Sequence, residues 1–147
     1  MPDGPRFDLP TVEGESQPFW DAAREGKFLI RQCHDCGAAH HYPRPFCPTC
    51  WSENLTWEEV SGQGTLYTYS TVFVNDLPPF GDRVPYVVAA VDLAEGPRVI
   101  TNIVDCQPAD LRVGMPVEVG YRELTPEITV PVFRPSRTGE RAASADT

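Results

Sequence analysis

Cys33-His34-Asp35-Cys36 and Cys47-Pro48-Thr49-Cys50 are two Cys-x-x-Cys pairs separated by ten residues. Each such turn presents two thiolates on one side of a tight knuckle, and four thiolates satisfy a tetrahedral zinc ion. The spacer is long enough for a short β-ribbon to bring the second pair back onto the first. Gly37, directly after the first pair, suits the φ > 0 position of such a turn. Trp51 stands in the same place after the second pair, so either that knuckle accepts a different backbone geometry or the indole covers the metal site. An odd total of five cysteines, with no secretory signal before them, disfavours a disulfide framework. A thioredoxin-like redox pair needs a βαβ context and would not come twice. Four cysteines leave no open coordination position, so Cys33, Cys36, Cys47 and Cys50 are assigned to structural Zn2+.

Outward from the knuckles, residues 27–32 read as the strand entering the ribbon and 40–46 as its return. His34, His40 and His41 lie in or beside the ribbon and are spare, because the cysteines already fill the tetrahedron. Upstream, Ser16 can cap a helix and Pro18 is tolerated in its first turn. Phe19, Trp20 and Ala23 then share a face, and Gly26 stops the helix. Phe19 and Trp20 either pack on the protein's own core or anchor a partner. Residues 1–15, with three prolines and two glycines, read as an extended or disordered arm.

Downstream the texture changes to short β segments. Ser61-Gly62-Gln63-Gly64-Thr65 opens a strand over 66–74 rich in Tyr, Thr and Val. It is not a phosphate loop, since no helix follows. Further strands are expected over 86–93, 98–104, 117–124 and 129–133. Five short strands closing on one another suggest a small barrel of the oligonucleotide/oligosaccharide-binding (OB) type. The expected organisation is a flexible arm (1–15), helix and zinc ribbon (16–57), barrel (58–135) and flexible tail (136–147).

With 147 residues and 41% hydrophobic content, the chain holds one ordinary domain, or one small metal-stapled module plus one compact domain. There is no run of 18 apolar residues, so no membrane span is expected, and reduced cysteines fit the cytoplasm. A formal charge of −9 repels phosphate backbones and disfavours a dedicated nucleic-acid binder. Cys106 is the single cysteine outside the zinc pairs, and no histidine outside the ribbon is available to activate it. It reads as a small half-buried hydrophobe, and no self-sufficient catalytic set emerges.

The pattern Phe19-Trp20…Gly26…Cys33-x-x-Cys36-Gly37…Pro43-x-Pro45…Cys47-Pro48-x-Cys50…Trp57…Ser61-Gly62-x-Gly64-Thr65 continues with Leu111-x-x-Gly114-Met115-Pro116-Val117 and Pro131-x-Phe133-Arg134-Pro135. Over residues 16–135 it resembles the acyl-CoA-associated family that joins a rubredoxin-like zinc ribbon to an OB-fold. The resemblance implies a mainly β fold: an N-terminal helix, a rubredoxin-like ribbon, then a five-stranded OB barrel. It further implies an accessory subunit in a hetero-oligomer with a thiolase-superfamily enzyme. Such a subunit helps bind a CoA thioester for thiolytic or steroid side-chain retro-aldol chemistry, while the partner supplies the catalytic residues.

The 75–85 loop, with Leu77 and Phe80 at its centre, is the expected partner contact together with Trp20. The CoA-binding residues stay unassigned, with Lys27, Arg31, Arg44 and Arg98 as candidate cations. Two readings from other classes remain: a single-strand nucleic-acid binder, which wants a basic groove among its aromatics, and an enzyme using Cys106.

Overall fold

A computed structural model describes residues 6–136. Helix α1 (Gln17–Arg24) buries Phe19, Ala22 and Ala23, the i, i+3, i+4 pattern of one apolar face. Gly26, at φ 77°, ends it. Ser16 occupies the N-cap position, but its hydroxyl turns back to Glu13 (3.2 Å) and donates no support to the helix amides. The expected side-chain cap is therefore absent.

The ribbon is a three-stranded antiparallel sheet in the order β2-β1-β3, from β1 (Phe28–Cys33), β2 (Ala39–His40) and β3 (Leu55–Val60). The return strand expected over 40–46 shrinks to Ala39–His40, paired with Gln32 and Arg31. Pro43 and Pro45 lack the N–H donor a longer ladder requires. The long partner of β1 is instead β3, in register from Phe28 opposite Val60 to Cys33 opposite Leu55.

The barrel closes in the order β4-β5-β6-β8-β7. Its strands are β4 (Gln63–Val72), β5 (Tyr86–Leu93), β6 (Arg98–Ile103), β7 (Pro116–Glu123) and β8 (Thr129–Pro135). All pairings are antiparallel except β6 with β8. Closure needs β4 to serve two neighbours, and a bulge between Leu66 and Thr68 bends it for that task. The glycines at its start allow close packing: a Cβ on Gly64 would stand 2.6 Å from Val91 Cγ1 and 2.9 Å from the Asp92 carbonyl oxygen.

Leu66, Val91, Val117 and Phe133, each from a different strand, are completely buried. This core continues without a break into Phe19, Phe28, Ile30 and Val60 of the helix and ribbon, with the Phe28 and Phe133 rings 6.4 Å apart.

Both chain ends are more ordered than expected within the described residues. Phe7 N–H donates to the Pro78 carbonyl (3.0 Å). The Asp8 carboxylate, 2% exposed, accepts from Arg6 and from Arg83. At the other end Ser136 is fully buried and its N–H donates to the Pro116 carbonyl (3.1 Å). Residues 1–5 and 137–147 lie outside the described residues, and with them most of the expected tail.

Candidate functional site

The two knuckles are built alike. Cys33 and Cys47 accept from the N–H groups of Gly37 (3.1 Å) and Trp51 (2.8 Å) at their carbonyls, and both following residues are left-handed. Gly37 has φ 81° and Trp51 φ 70°. Trp51 thus adopts the glycine geometry, with its indole 76% exposed and stacked on Phe46 at 5.4 Å. The first outcome open for this residue, a different backbone geometry, is therefore not what the structure gives: the second knuckle repeats the first with a tryptophan in the glycine position.

Cys33 Sγ lies 3.6 Å from Cys50 Sγ, as Cys36 Sγ does from Cys47 Sγ, and all four sulfurs lie within 4.8 Å of one another. A regular tetrahedron with Zn–S bonds of about 2.3 Å has edges of about 3.8 Å, so the cluster fits the ion. The amide of Cys50, helped by that of Thr49 and opposed by burial, holds the Cys47 thiol down to about 6. At Cys50 the Ser52 amide favours the thiolate, yet burial and the neighbouring sulfurs push the thiol up to about 12. Four thiolates cannot crowd into this volume unless a cation neutralises them, and Zn2+ would do so while holding the knuckles together. Asp35 ties one knuckle to the segment after the other by accepting from Ser52 and from Asn54 (3.2 Å). No histidine joins the group: His34 bonds Thr56 (2.8 Å), and His40 and His41 are buried elsewhere.

Cys106 packs against the barrel core, and burial with Asp110 and Asp105 pushes its thiol up, which keeps it protonated. It borders a cleft of about 550 Å3 whose walls include Phe80, Arg83, Tyr86, Val104 and Arg122. Phe80 is therefore half-buried on a cavity wall, 6.2 Å from Tyr86, while Leu77 is exposed. Trp20 is half-buried with its edge on Phe19 (4.9 Å), at the rim of a smaller apolar cleft with Tyr42, Ile100 and Pro131. The three residues expected to contact a partner do not form one patch.

Nor do the four candidate cations gather. Arg98 is engaged by Asp92 (2.6 Å) and lies over the Tyr67 ring, and Arg31 lies over Trp57. Lys27 and Arg44 stand exposed, and Arg44 lies, like Arg31, near His40, whose imidazole is held below its ordinary value by burial and then by these two charges. Sequence reasoning missed Arg83 and Arg122, which meet only because barrel closure brings β7 beside the 75–85 loop. No local motif marks them.

Family models corroborate the two-part reading. Residues 20–56 match the ChsH2 rubredoxin-like zinc ribbon domain, and residues 57–122 match the ChsH2 C-terminal OB-fold domain. A Methanocaldococcus jannaschii DUF35 domain-containing scaffold protein is 39% identical over 71% of this chain and 75% of its own. The chain belongs to the DUF35 family.

Among solved structures, the Ltp2-ChsH2(DUF35) aldolase contains a chain 37% identical to this one. The match has a TM-score of 0.77 and covers 86% of this chain and 98% of that one. A Thermomonospora curvata relative named as a probable enoyl-CoA hydratase alpha subunit is 37% identical over 86% of this DUF35 chain, which spans 39% of the relative's length. A more distant relative in Thauera aromatica, 28% identical over 74% of this chain and 66% of its own, is named benzoylsuccinyl-CoA thiolase subunit BbsA. In the described residues no helix is long and apolar enough to cross a membrane.

Proposed function

We propose that this chain is an accessory subunit that docks on a thiolase-superfamily enzyme and helps hold an acyl-CoA thioester while the partner makes or breaks a carbon–carbon bond. The observation that carries the reading is its near-complete coverage of the DUF35 chain in the solved aldolase. Relatives named as subunits of CoA-thioester enzymes support it further. The ribbon supplies a rigid, zinc-stapled body, and the barrel supplies fixed loop ends for a long, thin ligand. The chain works in the cytoplasm, where its thiols stay reduced. Its partner chemistry is of the thiolase or steroid side-chain retro-aldolase type.

Docking falls on the 75–85 loop and the strand end before it. Phe73, Val74 and Leu77 are all exposed there, an apolar cluster of the kind partners cover. Affinity capture of the tagged chain from its host, with mass spectrometry of whatever co-purifies at equal stoichiometry, tests the assignment. A thiolase-like protein is expected. Leu77→Asp should cut complex yield at least tenfold while leaving the fold intact, as burying a charge at a contact centre does. Capture of no stoichiometric partner, or an unchanged yield with Leu77→Asp, would count against the subunit role and the loop respectively.

A further inference from the structure

The ribbon carries a cluster of positive groups with no counter-charge. Arg31 on β1 stands opposite His40 on β2 and opposite Trp57 on β3, so the three side chains share one face of the sheet. The Arg31 guanidinium lies over the Trp57 ring, 4.5 Å from its centroid, which fixes its plane. Arg44 approaches from the segment after β2 and, with Arg31, acts on His40. Among the described residues, neither Arg31 nor Arg44 has a hydrogen bond or ion pair. Arg31 Nε is buried without a partner, and so are both ring nitrogens of His40, a residue only 9% exposed. Burial alone lowers Arg31 from its ordinary value, so no carboxylate compensates for its lost hydration. Glu59 is on this face, opposite Leu29, but it lies by Tyr121. The knuckle sulfurs accept from the amides of Cys36 and Thr49 and from neither arginine. Buried polar atoms without partners are rare, and a group of them beside two free guanidinium groups points to a missing anion.

We propose that Arg31, His40 and Arg44 receive a carboxylate from the partner enzyme, an Asp or Glu side chain seated on the ribbon sheet. The choice of a protein-borne acid over a free ligand rests on shape. Small ligands want a concave site, and the larger clefts of this molecule are lined by other residues. A positive spot on a chain of formal charge −9 instead suits a surface that brings its own acid and covers the site. A guanidinium fork pairs with carboxylate oxygens two at a time, and arginine and tryptophan are residues on which interfaces concentrate their binding energy. The rest of the acidic surface repels the same acid, so the cluster also fixes where the partner lands. The existence of a partner rests on the accessory reading above, whereas the anion site rests on the ribbon itself.

Acetate is the probe for the free chain. Titrated at constant ionic strength into the full-length, zinc-loaded protein, it should move the Arg31 Nε–H and His40 ring resonances saturably in the millimolar range. Arg44→Gln, at an exposed position, should weaken that binding about tenfold. Absence of a saturable shift overturns the site. Inorganic phosphate bound more than about tenfold more tightly than acetate would replace the carboxylate by a phosphorylated ligand and overturn the assignment. In the captured complex, Arg31→Gln should cut the yield roughly ten- to a hundredfold, while Lys27→Gln leaves it unchanged. Lys27 is the only lysine of the chain. In a Lys27→Gln, Arg44→Lys protein, carbodiimide should therefore join the side chain at position 44 to an Asp or Glu of the partner, as an amide formed with loss of water. An amide confined to this chain's own acids, or an unchanged yield with folded Arg31→Gln protein, overturns the proposal. Failure of the parent chain to capture any partner is a separate result, which strikes the subunit role and leaves the acetate titration to decide the anion site.

Discussion

In the barrel, Leu66, Val91, Val117 and Phe133 from four strands lose all contact with water, whereas in the knuckles only Cys33 and Cys47 are buried and Cys36, Cys50 and Trp51 stand at the surface. The barrel holds itself together by apolar burial and a closed ladder. The tip of the ribbon has almost no apolar interior, and its order depends on the metal. The root of the ribbon is different again, since Phe28 and Ile30 belong to the same continuous core as the barrel. Dependence on zinc should therefore fade along β1 from Cys33 towards Phe28.

Metal removal should produce the largest effect. Structural zinc contributes apparent binding energies of about 10–16 kcal/mol in small modules. Cys47→Ser or a strong chelator should release zinc and abolish amide-exchange protection across residues 33–54, while β5 and β7 stay protected. Full protection at the knuckles without zinc would break the contrast drawn here. Phe133→Ala comes next at about 3–5 kcal/mol, the usual cost of removing a buried aromatic. Because Phe133 touches Phe28, it should loosen β1 as well as the barrel in a hydrogen-exchange measurement. Gly64→Ala is smaller, about 1–3 kcal/mol by denaturant unfolding, since its Cβ would press on Val91 and on backbone that cannot move aside.

The same contrast explains what was legible in the chain. Metal ligands announce themselves by type and spacing, so all four cysteines were readable, as were the five barrel strands within about two or three residues at each end. The third ribbon strand, Leu55–Val60, was not, because its partner β1 lies about 25 residues earlier and its own alternation is broken by Glu58 and Glu59. The Asp8 anchor was also hidden. Asp8 and Arg83 are 75 residues apart and meet only after folding, so a Pro-rich arm that looks unattached is held by one buried carboxylate. Arg122 offered no signal beyond being an arginine on a strand.

Asp8 supplies the smallest and most discriminating test. Hydrogen bonding from Arg6 first, and then from Arg83, holds its carboxyl below the usual carboxylate range against the opposing effect of burial. A depressed folded pKa means stability that is present above the unfolded value of about 3.9 and lost as pH falls through the folded one. The stability gap between the parent and Asp8→Asn should therefore be flat from pH 7 to about 5 and shrink below about 4. Taking the difference between the two proteins cancels acid release of zinc, which both would share. A gap that stayed constant down to about pH 2 would mean that the two arginines do not hold the Asp8 carboxylate in the folded protein.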